Sequence, residues 1–92
     1  TAVFVKDGCV ACGQLVQRLQ SSGAEFDLYM VGSRQDDARI RDWAKRAQID
    51  PARVRSGSIT LNHDGGRWLS LGLPGDLPAA VREVNGQWQR QP

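Results

Sequence analysis

A chain of 92 residues, 40% hydrophobic and 24% charged with a formal net charge of +2, has the make-up of one small folded domain, far from the disordered and membrane classes. A charge so close to neutral identifies no polyanionic partner, and there is no run of about 18 apolar residues to insert into a membrane. Thr1 leads straight into "AVFV" without the basic, apolar and small-residue order of a secretory leader. Residues 1–92 are therefore expected to be a single domain, excised or matured from a longer precursor.

"TAVFV" is a β-branched and aromatic run bounded by the turn-prone Asp7 and Gly8, and it predicts a buried strand. From Cys12 the apolar residues Cys12, Leu15, Val16 and Leu19 recur at helical spacing, with Gln14, Gln17, Arg18 and Gln20 on the other side. That helix should stop at Ser22-Gly23. Glu25 to Val31 alternates and predicts a second strand, parallel to the first because a helix joins them. Ser33 followed by Asp36 resembles a capping box, after which Ile40, Trp43, Ala44 and Ala47 mark a second amphipathic helix with Arg39, Arg41, Lys45 and Arg46 exposed. "DPARV" reads as an Asp-capped turn of helix ended by Ser56-Gly57. "SITLNHDGGRWLSLG" is expected to be an antiparallel hairpin about Asp64-Gly65. "GDLPAAVREVNG" is expected to be a last helix, with Leu77, Ala80, Val81 and Val84 on one side and an Asn-Gly stop. Residues 86–92 are left as a frayed tail. The expected order is β-α-β-α-β-β-α.

Cys9 and Cys12 are the two cysteines of the chain, and they fall where the first strand gives way to the first helix. Positions three apart on a helix have Cβ atoms about 5 to 6 Å apart, within the reach of a disulfide. Closing so short a loop removes little unfolded-state entropy, so reversible chemistry explains the pair better than stapling does. Cys9 stands at the helix start, where free backbone N–H groups and the dipole favour a thiolate; Lys6 would add to this and Asp7 oppose it. Cys12, one turn deeper and in line with the apolar face, should be shielded. Cys9 is therefore the expected nucleophile and Cys12 the resolving thiol. A metal site needs about four ligands, and the only further nitrogen ligand is His63, so a metal would require two copies of the chain. No cofactor is expected.

A C-x-x-C between a strand and a one-sided helix, in this order of elements, resembles the thioredoxin-like superfamily. The resemblance covers nearly the whole chain, from "FVKDGCVACGQLVQRL" through the expected Asp-Gly hairpin to the expected last helix. It implies an α/β (α+β) fold with a four-stranded mixed sheet of order 2-1-3-4, helices on both faces, and thiol-disulfide exchange with protein thiols or disulfides. It also implies a substrate-facing surface at Gly8, Val10, Ala11, Ser58 and Ile59. Such oxidoreductases usually place a cis-proline just before the third strand; "SGSIT" aligns Ile59 there, so the Ser58–Ile59 peptide is expected to be trans. A buried acid on the first strand and a tryptophan before the first cysteine are replaced by Val3 and Gly8. "CVACGQLVQRL", "DDARIRDWAKRAQIDPARVRSGSITLNHDGGRW" and "LPAAVREVNGQWQ" resemble the C-terminal domain of an integrating conjugative element protein family of proteobacteria. That resemblance implies a periplasmic location and a component of the conjugation machinery as partner. A non-catalytic interaction module of a conjugation or secretion apparatus is the alternative it leaves open.

The remaining candidates read structurally. His63, beside the expected hairpin turn, is a loop residue with no obvious partner. Trp43 belongs to the core, and Trp68 and Trp88 to core or edge cover. Asp36 and Asp37 suit a helix N-terminus. The basic helix face is interleaved with Asp36, Asp37 and Asp42 and lacks neighbouring aromatics, so it is not expected to bind nucleic acid. The glycines form no phosphate-binding loop.

Overall fold

The computed structural model describes residues 1–91. Nine elements follow one another: β1 (Ala2–Lys6), α1 (Val10–Ser21), β2 (Phe26–Val31), α2 (Asp37–Arg46), α3 (Pro51–Ser56), β3 (Ile59–His63), α4 (Arg67–Leu71), β4 (Ala79–Val84) and β5 (Gln87–Arg90). The five strands form one mixed sheet of order β3-β2-β1-β4-β5. β1 and β2 are parallel, with Phe4 opposite Tyr29, and β2 and β3 are parallel, with Leu28 opposite Leu61. β4 lies antiparallel to β1, with Val3 opposite Ala80, and β5 antiparallel to β4. The sheet thus has one strand more than the four expected.

β1 is buried on both faces, as a strand flanked on each side must be. Val3 and Val5 join Val16, Leu28, Met30, Ile40, Trp43 and Ile59 in the larger core cluster, against α1 and α2. Ala2 and Phe4 point the other way and meet Ala79 and Val81, with Trp68 and Leu71 of α4 laid over them. The Phe4 ring lies 5.2 Å from both Tyr29 and Trp68. Helices therefore cover both faces: α1 and α2 one, the short α4 the other.

The expected order of elements holds through α3. Asp36 caps α2 through Ala38 N–H at 3.0 Å, and Asp50 caps α3 through Ala52 N–H at 2.9 Å with Pro51 next. Ser33 is not the cap: its carbonyl receives Asp36 N–H, and its side chain turns to His63.

Beyond residue 63 three expectations are overturned. The Asp-Gly hairpin is absent. The carboxylate of Asp64, 8% exposed, accepts Trp68 N–H at 2.8 Å and Gly66 N–H at 3.1 Å, which starts α4 in place of a second strand. The last helix is also absent, because 79–84 alternates, burying Ala79 and Val81 on one face of the sheet while Ala80 packs toward the other. Asn85 and Gly86, at φ 53° and 81°, form the two-residue turn of a hairpin. Residues 87–90 are accordingly a strand and not a frayed tail. Position 92 lies outside the described residues.

The strand antiparallel to β1 is β4, and the residue before it is Pro78, with the Leu77–Pro78 peptide cis. One register step beyond Phe4–Ala79 sets Pro78 across from Val5, near the end of β1 where the cysteine loop departs. Ile59 opens β3, and Ser58–Ile59 is trans as expected. Arg90 holds the loop ahead of β4: its guanidinium donates to the carbonyls of Pro74, Asp76 and Pro78 at 2.8, 3.0 and 3.3 Å.

Candidate functional site

β1 ends at Lys6, and Asp7-Gly8 turns the chain into α1. Gly8 sits at φ 70°, a conformation that costs glycine little and other residues more. Cys9 is the N-cap of α1, extended at φ −106°, and its sulfur accepts the backbone N–H of Cys12 at 3.1 Å. Its carbonyl receives the N–H groups of Cys12 and Gly13. The sulfur is thus built into the helix start, among the donors a helix leaves free there.

Cys9 and Cys12 form a disulfide with Cα atoms 5.3 Å apart. The two sulfurs differ in access. Cys12 is 0% exposed, within the core beside Val3, Val5 and Val16, whereas Cys9 is half-buried against the edge of that core. Val10, the next residue, is 78% exposed, and Ala11 is exposed too.

A groove of about 410 Å³ runs beside Cys9 between α1 and α2, lined by Asp7, Gly8, Val10, Gln14, Trp43 and Arg46 among others. Trp43 is 5% exposed, so it contributes a rim of indole while most of the ring stays in the core. Arg46 reaches across from the last turn of α2 and donates to the Asp7 carboxylate at 2.9 Å. Sequence reasoning placed Arg46 on the solvated basic face of its helix and missed this role. The available signal was spacing: Arg46 follows Trp43 by three positions and so shares its side of α2.

Of the residues expected to face a substrate, Gly8, Val10 and Ala11 surround Cys9. Ser58 and Ile59 do not. Ile59 is paired with Phe26 at the start of β2 and is 0% exposed, and the Ser58 carbonyl accepts Phe26 N–H. Because β1, β2 and β3 are parallel, that is the end of the sheet opposite the disulfide, roughly a strand length of 17 to 20 Å away. The alignment failed because it took β3 for the strand antiparallel to β1, a place that β4 fills.

His63 has partners after all. The buried Ser33 hydroxyl and His63 Nδ1 are 2.5 Å apart, and His63 Nε2 lies 2.7 Å from Asp37 Oδ1. With the carboxylate accepting from Nε2–H, Nδ1 is left to accept from the serine. The three residue types match a hydrolytic triad, but Ser33 is 2% exposed and offers no hydroxyl to a substrate. The chain of bonds ties the end of β3 to the β2–α2 loop and the start of α2. No group of three or more His, Cys, Asp or Glu among the described residues is placed to hold a metal ion, and no described helix is long and apolar enough to cross a membrane. Comparison with protein-family models, with curated proteins and with solved structures found no match.

Proposed function

We propose that this chain is a thioredoxin-like thiol-disulfide exchange domain acting on protein thiols or disulfides. The observation that carries the reading is the difference in access within the cysteine pair. Cys9 borders an open groove at a helix start, and Cys12 is sealed beneath it. A partner sulfur can approach only Cys9.

In the reduced protein, the Cys9 thiolate attacks one sulfur of a partner disulfide; a mixed disulfide forms and one partner thiolate leaves. Cys12 then loses its proton and attacks the Cys9 sulfur, the mixed bond breaks and the second partner thiolate departs. Two electrons pass to the partner and the Cys9–Cys12 disulfide remains. In reverse, a partner thiolate attacks Cys9 and Cys12 is the leaving group. Backbone N–H groups at the start of α1 and the helix dipole favour negative charge on Cys9 throughout.

Support for the thioredoxin-like assignment comes from topology. With the edge strand β3 set aside, the remaining strands β2, β1, β4 and β5, taken as first to fourth in chain order, stand in the spatial order 2-1-3-4; the C-x-x-C follows β1, and a proline immediately precedes the strand antiparallel to β1. A periplasmic setting and a partner within a conjugation machinery rest on the sequence resemblance described above.

The deciding experiment is trapping. Cys12→Ser protein incubated with a disulfide-bonded protein substrate should accumulate a mixed disulfide through Cys9, and Cys9→Ser should accumulate none. Equal trapping by both variants, or by neither, sinks the reading. Unimpaired function of the double Cys→Ala variant in its cell would assign the domain a scaffold role.

A further inference from the structure

The groove beside Cys9 contains two charged side chains, Asp7 and Arg46, and they are bonded to each other. The same two residues also line the depression over the outer face of α2, with Asp36, Arg39, Asp42 and Lys45. The ion pair is therefore the partition between the groove at Cys9 and a broad charged surface.

Asp7 lies two residues before Cys9, in the turn that leads to the sulfur, and its carboxylate also accepts Gly8 N–H at 3.2 Å. Left unpaired, that carboxylate, which lines the same groove as Cys9, would oppose a thiolate at the helix start, because nearby like charges disfavour each other's ionised form. The other charged side chains adjoining this turn are Lys6 at the end of β1, exposed to solvent, and Arg46 of α2.

We infer that Arg46 is a positioning residue for the dithiol: it draws the Asp7 carboxylate toward α2, offsets its charge, and so preserves the thiolate of reduced Cys9. This rests on the proposed exchange chemistry. It adds that the attacking sulfur depends on a residue almost forty positions away on a different helix. The pair is largely exposed, with side chains 65% and 45% accessible, so the effect is of surface magnitude and weakens with salt.

The test is the pH dependence of iodoacetamide alkylation at Cys9 in the reduced protein, with the modified residue identified by mass. Arg46→Gln should move the alkylation midpoint upward and slow reaction at pH 7 by about two- to fivefold at low ionic strength. Asp7→Asn should move the midpoint downward, and Arg46→Gln with Asp7→Asn should return it close to the wild-type value. Salt at 0.5 M should shrink the Arg46→Gln effect. The double variant lacks the contact as fully as either single one, so a merely structural role for the pair would leave it as impaired as Arg46→Gln. An unchanged midpoint in Arg46→Gln, or no recovery in the double variant, overturns the inference. The differences between variants test Arg46; the wild-type midpoint separately tests the reading of Cys9 as an activated thiol, which fails if it is no lower than about 8.5.

Discussion

Asp64 shows how one side chain redirects a segment. Asp-Gly between apolar runs is a strong hairpin signal, yet the carboxylate here reaches forward to two backbone N–H groups and begins a short helix. Both outcomes use the same residue types, and the choice is made by what α4 can cover: Trp68 and Leu71 close over Phe4. Asp64→Ala should cost about 1 to 2 kcal/mol, read as a lower urea midpoint with unchanged slope. Asp64→Asn should recover part of that loss. At the same scale, the difference in exposure between Cys9 and Cys12 was legible because burial follows from helical phase. The pairing of Asp7 with Arg46 was not legible, since the two are far apart in sequence and meet only once α2 has packed.

Among elements, the first half of the chain was readable and the second was not. β1, α1, β2, α2 and α3 carry long periodic runs with caps and stops, so local preference and tertiary packing agree. "LPAAVREV" is short, and its apolar residues at 77, 80, 81 and 84 fit a helical phase while those at 79 and 81 fit a strand. The sheet decides, because β1 needs a neighbour on its open side. Asn85-Gly86 reads as a helix stop after such a segment, though Asn-Gly is also the preferred pair for a two-residue hairpin turn. Both residues there have positive φ. Gly86→Val should therefore destabilise the β4–β5 hairpin by about 1 to 2 kcal/mol, and hydrogen exchange should quicken at 87–90 before it does in β2. Misplacing these strands also set Ile59, rather than Pro78, ahead of the strand expected beside β1.

For the whole molecule, the disulfide adds little to the fold. Closing a loop from Cys9 to Cys12 contributes at most about 2 kcal/mol through the unfolded chain, against a total of about 5 to 15 kcal/mol for a domain of this kind. Reduction with dithiothreitol should leave near- and far-ultraviolet circular dichroism almost unchanged and lower the melting temperature by no more than about 15 °C, with the unfolding transition still cooperative. Collapse on reduction would show that the bond is structural. Trp43 offers the contrast, since it is buried in the larger cluster and its removal leaves a large void.

The placement of β4 has one more consequence. The central strand finds its second neighbour almost eighty residues downstream, where Ala2 meets Val81. As the polypeptide emerges from a ribosome or a translocation pore, β1, α1 and β2 can associate early, but Phe4 keeps an uncovered side until the final hairpin arrives. An oxidant encountering the nascent chain would meet the cysteines before their sheet is complete, so bond formation between them can precede closure of the domain.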